Sequence, residues 1–223
     1  AGSTFVKAIQ TKREIVIWTD TALHSMRYIG PPFTFGIQQL ASNITIMGPN
    51  AAVAVEDVVL WMGKDNFYIY EGQTQQLPCT VKEKVFFDFN MNEKEKVVAG
   101  VNSNFGEVIW FYPSSSSSEN DSYVIYNYLE KIWYYGSLAR TAWIDKGVRN
   151  FPMAADPSLN YLYNHEVGYD DDGAAMVSSI ESSQIDIGEG DKFIFINRVI
   201  PDLTFNGSTT AVPSVDITME TRN

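Results

Sequence analysis

The sequence has little cysteine and no long apolar run, and each shortage excludes some classes of protein. Its 223 residues include one cysteine, so a disulfide within the chain is impossible and folding in a reducing cytoplasm is expected. Cys79 follows Leu77 and Pro78 with no histidine nearby, which favours a small buried hydrophobe over a nucleophile. No apolar stretch approaches the roughly 20 residues that a spanning helix needs, so no membrane span is predicted.

Positive charge is scarce as well. Lys and Arg number 16 against 27 Asp and Glu, which gives a formal net charge of -11. Binding to nucleic acid depends on cations that neutralise phosphates, so a protein that grips DNA or RNA is not expected. A negative wall would instead repel DNA and let it pass without sticking.

Residues for catalysis or metal binding are also few. The two histidines, His24 and His165, lie far apart and lack the spacing of a zinc site. Gly-x-Ser-x-Gly, P-loop and Gly-x-Gly-x-x-Gly motifs are absent. The run Asp170, Asp171 and Asp172 offers carboxylates to calcium, but it lacks the 12-residue loop with a terminal Glu, so a solvated loop is the simpler interpretation. No catalytic residue, cofactor or metal site is predicted.

Two chemical alternatives remain open. Glycoside hydrolases use paired carboxylates, and some are propellers. Five acidic residues lie near predicted strand ends without any pair standing out: Asp20, Asp57, Asp65, Asp88 and Glu166. The aromatic run Trp133-Tyr134-Tyr135, with Trp143, could stack on bases or sugars. Because few cations lie near this run, packing in the core is the favoured interpretation.

A loose internal repeat is the main structural signal. Apolar runs around Trp18, Trp61, Trp110 and Tyr161 are each followed by a polar turn, with spacings of 43, 49 and 51 residues. Propeller blades take about 40 to 50 residues because each needs four short strands and their turns. Stripes of helical period are almost absent. We therefore predict an all-β protein of β-propeller-type antiparallel meanders. One domain is expected over 1–223, with blade-like units near 15–50, 51–100, 101–150 and 151–223.

Polar segments between the apolar runs predict the turns. Hairpin turns are expected at 63–66 and 70–73, and a strand, tight turn and second strand over 127–136. The serine-rich stretch 114–121 and the acidic stretch 168–173 predict loops. The remaining expectations are an irregular crossing over 142–158, strands at 178–187, 192–200 and 215–220, and a short helix near 92–96.

Several runs resemble one known family. Residues 60–72, and residues 108–114 with 119–128, are similar to runs in the tail nozzle proteins, also called tail tubular protein B, of short-tailed (podovirus-type) bacteriophages. Residues 133–143 continue the likeness, and so do 180–183, 186–190 and 197–202, so that it covers most of the chain from about Trp18 onward. These runs are long and rich in aromatic residues, and they are structural rather than catalytic signatures.

The resemblance implies a propeller-bearing subunit of a homo-oligomeric ring, commonly a hexamer, at the distal end of a short tail. Such a ring would bind the tail adaptor protein and tail fibres, and viral DNA would pass through it without sequence-specific binding. The protein would be assembled in the host cytoplasm and reside in the virion tail. It would be no enzyme and would need no cofactor. We take Asp170, Asp171 and Asp172 as the candidate acidic loop facing the channel.

Members of this family are several times longer than this chain. The N-terminal residues Ala1–Thr4 lack both an initiator Met and the features of a signal peptide. A partial propeller from a longer chain is therefore expected. Two other functions stay open: a propeller-based tail module that binds or hydrolyses host glycans, and a non-viral propeller scaffold for protein partners.

Overall fold

The computed structural model describes residues 4–168, 170–175, 179, 195–206, 208 and 211–219. Within them the strands form antiparallel sheets in which each strand pairs with its neighbours in sequence. The chain divides into two compact units, residues 1–169 and residues 170–223.

The first sheet is a four-stranded meander. Its strands are β1 (Phe5–Gln10), β2 (Ile15–Thr19), β3 (Ala22–Gly30) and β4 (Thr34–Ser42). Residues of β2 alternate between half-buried and buried, and Val16 and Trp18 are the buried ones. This is the period of two that a strand shows when one face covers the core. The strand, turn and second strand predicted around Trp18 are confirmed.

The second sheet repeats the pattern. Its strands are β5 (Ala52–Val55), β6 (Val58–Met62), β7 (Phe67–Tyr70) and β8 (Thr74–Leu77). The predicted hairpin turns fall between β6 and β7 and between β7 and β8, as expected. Four consecutive residues of β6 are buried, so both faces of this strand are covered and its sequence is continuously apolar.

Two short helical segments connect the second sheet to the third. The helix α1 (Lys82–Phe87) buries Val85, and a 3₁₀ segment follows at Met91–Lys96. The side chain of Asn90 caps this segment by accepting a hydrogen bond from the backbone N–H of Asn92 at 3.1 Å. The 3₁₀ segment lies where the sequence allowed a short helix near 92–96, and Glu93 within it departs from helical geometry, whereas α1 was not predicted.

The third sheet is again a four-stranded meander. Its strands are β9 (Val98–Asn102), β10 (Glu107–Tyr112), β11 (Ser122–Asn127) and β12 (Ile132–Ser137). In the tight turn after β11, the carboxamide oxygen of Asn127 accepts the backbone N–H groups of Leu129 and Glu130 at 3.0 and 2.9 Å. Lys131 has a positive φ of 60°. The hairpin predicted over 127–136 is confirmed.

A fourth, three-stranded sheet lies where an irregular crossing was expected. Its strands are β13 (Ala142–Ile144), β14 (Met153–Ala155) and β15 (Leu162–Asn164). The prediction for 142–158 is therefore wrong, because strands of three residues are too short to show alternation. Tyr161, the fourth anchor of the sequence repeat, is exposed and precedes β15, so it is not equivalent to the three buried tryptophans.

Successive sheets meet through their first strands. β1 contacts β5, β5 contacts β9, and β9 contacts β13. Aromatic contacts join the same sheets deeper in the core. The rings of Trp18 and Trp61 lie 5.3 Å apart, and those of Phe67 and Trp110 lie 5.0 Å apart. The indole N–H of Trp110 donates to the carbonyl of Ala51 at 3.0 Å. Neighbouring first strands are typical of propeller blades, and the predicted fold class, all-β with propeller-type antiparallel meanders, is confirmed.

The sheets span residues 5–42, 52–77, 98–137 and 142–164. The blade-like units near 15–50, 51–100, 101–150 and 151–223, and the single domain over 1–223, stay predictions. Among the described residues, no helix is long and apolar enough to cross a membrane.

The second unit contains a small hairpin of β16 (Asp170–Asp171) and β17 (Ala174–Ala175). The strand predicted at 178–187 lies, apart from residue 179, outside the described residues. The strands predicted at 192–200 and 215–220 are wrong over 195–200 and 215–219, which adopt no strand. Their apolar side chains, such as Phe195 and Ile217, are exposed. A strand needs a hydrogen-bonded neighbour, and these segments pair with none of the described residues.

Candidate functional site

The predicted channel-facing residues lie in the small hairpin of the second unit. Asp170 and Asp171 form β16, and the chain turns at Asp172 and Gly173, where φ is 51° and 85°. The Asp170 carboxylate accepts the backbone N–H of Gly173 at 3.2 Å, which holds the turn closed. All three aspartates are exposed. Their place in a channel stays a prediction.

No metal centre is evident in the part of the chain that the structure describes. There, no group of three or more His, Cys, Asp or Glu side chains could hold a metal ion. Asp170, Asp171 and Asp172 form an exposed acidic turn.

The two histidines lie in different settings. His24 is half-buried on β3, in the first sheet. His165 follows β15 in the fourth sheet, and its ring lies 4.9 Å from the ring of Trp143. Burial, together with the nearby Arg140 charge, lowers the pKa of His165 to about 4. His165 is thus neutral near pH 7.

Four of the five carboxylates considered for glycoside hydrolysis make separate contacts within the first unit. Asp20 accepts the backbone N–H of Thr4 at 3.3 Å, and Asp65 accepts the Tyr68 hydroxyl at 3.2 Å. The other two have partners in distant segments: the Ser115 hydroxyl donates to Asp88 at 2.9 Å, and the Asn102 amide donates to Glu166 at 3.1 Å. Each of the four is engaged with a different segment of the first unit.

Asp57, the fifth carboxylate, lines an open groove of about 380 Å³ between turns of the first and second sheets. The groove is lined by Thr11, Arg13, Glu14, Asp57, Val58, Tyr70, Glu71 and Gly72. Three carboxylates and one guanidinium therefore meet here. Much of the groove surface is apolar, and its carboxylates could contact the hydroxyl groups of a ligand.

Hydrogen bonds across this groove join the two sheets. The backbone N–H of Lys12 donates to Asp57 at 3.0 Å, and Arg13 forms an exposed ion pair with Asp57 at 3.8 Å. The Tyr70 hydroxyl donates to Glu14 at 2.5 Å. Burial, aided by the Glu14 carboxylate, raises the pKa of Tyr70 to about 12. Because Glu14 and Asp57 are engaged in these contacts, their evident role is to tie neighbouring sheets together.

A second polar cluster, which sequence reasoning missed, is centred on the buried Arg140. Its guanidinium forms an ion pair with Asp156 at 3.3 Å and donates through Nε to Nε2 of His165 at 2.9 Å. It also lies 4.7 Å from the centre of the Tyr163 ring, within reach of a cation–π contact. Arg140 thus links the segment after β12 to the turns of the fourth sheet. The residues are spread over the sequence, and no spacing pattern signals them.

The aromatic run, for which packing in the core was the favoured interpretation, lies at the edge of the core, and only half-buried Trp133 packs against it. The ring of Trp133 lies 4.7 Å from that of Phe67, and its indole N–H donates to the carbonyl of Pro78 at 2.8 Å. The indole N–H of Trp143 donates to the carbonyl of Val101 at 2.7 Å. Tyr135 is the exposed member of the run.

Cys79 fits the interpretation of a structural residue. It is half-buried, and burial raises the pKa of its thiol to about 11. The backbone N–H of Val81 and the charge of Lys82 oppose this effect but do not overcome it. The thiol is therefore protonated near pH 7 and is a poor nucleophile.

The chain matches no protein-family model and no curated protein. The fold by itself defines the class, an all-β protein of propeller-type meanders. The polar clusters described above mainly connect one sheet to the next. The resemblance to tail nozzle proteins stays an expectation from the sequence.

Proposed function

We propose that this chain is a structural subunit of a bacteriophage tail nozzle ring, which lines the DNA-ejection channel at the distal end of a short tail. The observation that carries the proposal is the contact between first strands of successive sheets, β1 with β5, β5 with β9 and β9 with β13. This order supports the propeller that the sequence resemblance implies. The ring would join the tail adaptor protein and carry tail fibres.

The charge of the chain favours a passive conduit. A formal net charge of -11 gives the subunit a field that repels phosphates. DNA passing through such a ring would meet few cations able to hold it, so sliding would be favoured over binding. The described carboxylates of the first unit are largely engaged in contacts within the protein, as Asp57 and Glu14 are, and this agrees with a structural role.

The state of assembly tests this proposal most directly. We expect the purified chain, mixed with its tail adaptor ring, to form closed rings of uniform mass with about six copies, the number that the resemblance to tail nozzle proteins implies. Light scattering gives the mass, and electron microscopy shows whether the particles have a central hole. An adaptor ring from an unrelated tail is the control.

One result would contradict the nozzle proposal. A chain that stays monomeric at every concentration tested, and that never joins the adaptor ring, is not a ring subunit. Rings that form with the matched adaptor but not with the unrelated one would support both the ring and its partner.

The groove between the first two sheets favours one second candidate, a module that binds or hydrolyses host glycans. Paired carboxylates in a cleft are the requirement for glycoside hydrolysis, and Glu14, Asp57 and Glu71 line this groove. Release of reducing sugar from host envelope glycans would support the candidate if Asp57→Asn abolished it and Asp65→Asn, outside the groove, did not. No release from the wild-type chain would exclude hydrolysis.

A further inference from the structure

The first sheet extends into a two-stranded ribbon that leaves its neighbours. Strand β2 pairs with β3 only as far as Met26, opposite Ile15. Beyond that pair, β3 and β4 continue with each other through Arg27 opposite Gly36 and Tyr28 opposite Phe35. We name residues 27–37 the apolar ribbon. Within the described residues, no third strand pairs with it.

Both faces of the apolar ribbon expose large apolar side chains. Tyr28 and Phe35 are 66% and 56% exposed, and their rings meet edge to face at 6.0 Å. Ile37 is 68% exposed, and Phe33 in the turn is 77% exposed. On the opposite face, Ile29 covers the backbone of Gly36 and is itself exposed. Such a concentration of exposed apolar surface marks an interaction site.

The apolar ribbon also differs from the rest of the chain in charge. No Asp or Glu occurs between Thr21 and Val55, and Arg27 is the only Lys or Arg there, in a chain of net charge -11. The Arg27 guanidinium donates to the Gln38 side chain at 3.0 Å, across the two strands. A shallow groove beside the ribbon holds one carboxylate, that of Glu14, together with the side chains of Lys12, Arg13 and Arg27. Cations therefore outnumber carboxylates where this segment would approach an anionic surface.

The turn of the ribbon is suited to an apolar environment. Pro31 and Pro32 have no backbone N–H, so the tip presents two fewer donors that would need water. The backbone N–H of Phe35 donates to the carbonyl of Phe33 at 2.5 Å, which satisfies another donor. The open edges of the ribbon still need hydrogen-bond partners, and these exist in the headgroup layer but not in the hydrocarbon core.

We propose that the apolar ribbon inserts its tip into the interfacial layer of an anionic phospholipid bilayer. A protein partner would typically cover one face of such a ribbon, whereas lipid surrounds the tip and covers both faces at once. The phenyl rings of Phe33 and Phe35 enter the boundary between headgroups and acyl chains, Tyr28 sits at headgroup level, and Arg27 faces lipid phosphates. Neither ring formation nor the nozzle proposal is required for this insertion.

Flotation with lipid vesicles tests the proposal. We expect the full chain to float with vesicles of phosphatidylethanolamine and phosphatidylglycerol. The double variant Phe33→Ser/Phe35→Ser should lower the bound fraction by at least about tenfold, since burying one phenyl ring is worth roughly that factor or more. The control is Phe87→Ser, which removes a phenyl ring that is 92% exposed at the end of α1 and should bind as the wild type does.

The replaced rings are exposed, so an unchanged melting temperature is expected and separates lost binding from lost folding. Equal flotation of the double variant and the wild type would overturn the proposal. So would a wild-type chain that does not float and whose oligomers in lipid-free solution dissociate in the double variant, because the ribbon would then be a contact between copies.

Discussion

The indole of Trp143 in β13 packs directly on the backbone of Gly100 in β9. A Cβ atom added to Gly100 would lie 2.6 Å from Cγ and 2.9 Å from Cβ of Trp143, closer than non-bonded carbon atoms approach. The indole is also fixed, because its N–H donates to the carbonyl of Val101 at 2.7 Å. The contact between the third and fourth sheets therefore depends on the absence of a side chain at position 100.

Gly100→Ala should destabilise the chain by about 1 to 3 kcal/mol, the usual cost of overpacking a core. The free energy of unfolding, measured by urea denaturation, gives the effect. Gly147→Ala is the matched control, because a Cβ at Gly147 meets no heavy atom within 4 Å. Equal stability of Gly100→Ala and the wild type would show that the two sheets do not pack through this contact.

The two described ion pairs of arginine with aspartate should differ sharply in their contribution to the free energy of unfolding. Arg140 and Asp156 are nearly buried, whereas Arg13 is largely exposed beside Asp57. Arg140→Ala leaves the Asp156 carboxylate without its cation, although the backbone N–H groups of Ser158 and Leu159 still donate to it. It also removes the donor to the His165 imidazole, and we expect a loss of about 2 kcal/mol in the free energy of unfolding. Arg13→Ala should cost less than about 1 kcal/mol. Urea denaturation measures both losses. Similar losses in the two variants would show that the buried ion pair does not stabilise the fold more than the exposed one.

The first three sheets could be predicted from the sequence because their central strands are long and their turns are polar. Trp18, Trp61 and Trp110 all fall in the second strand of a sheet and are fully buried. The spacing of these three tryptophans therefore reflects the repeat of the four-stranded sheets along the chain. The fourth sheet could not be predicted, since it is fixed by contacts distant in sequence, such as those of Arg140 and Trp143.

Exposure was harder to predict than strand position. The apolar run around Pro31 and Pro32 has the composition of core residues, yet it projects beyond the sheet. Conversely, the apolar residues at 195–200 suggested a strand, but local composition cannot supply the neighbouring strand that a sheet requires. The exposed ribbon and the wrong strand at 195–200 share one cause, since burial depends on the tertiary partner and not on the segment itself.

Neutralising the acidic turn should slow genome exit if the turn faces the channel. The variant Asp170→Asn/Asp171→Asn/Asp172→Asn removes three negative charges, while the carboxamide oxygen introduced at position 170 can still accept the backbone N–H of Gly173. With less repulsion, phosphates would contact the wall for longer, and we expect an ejection rate several-fold lower at low salt. A variant with three exposed acids neutralised elsewhere, Glu56, Glu83 and Glu130, is the control. An unchanged rate would place the acidic turn outside the channel.

The imidazole of His165 should make stability depend on pH between about 4 and 6.5. In the folded chain its pKa is lowered to about 4, mainly by burial and further by Arg140, from an ordinary value of 6.5. Above pH 6.5 the ring is neutral in both states, so its contribution to stability is fully present. As pH falls towards 4, the unfolded chain binds the proton first, and the free energy of unfolding decreases.

His165→Gln tests this dependence, because glutamine can accept the Arg140 Nε–H bond but does not titrate. We expect the wild type to lose on the order of 1 kcal/mol more than the variant between pH 6.5 and 4, a value reduced for partial exposure of the ring. Urea denaturation at a series of pH values measures the difference. Asp156, whose pKa is lowered mainly by the backbone N–H of Leu159, loses its contribution only at more acidic pH. If the free energy of unfolding falls equally in the two proteins between pH 6.5 and 4, then His165 is not held neutral beside Arg140.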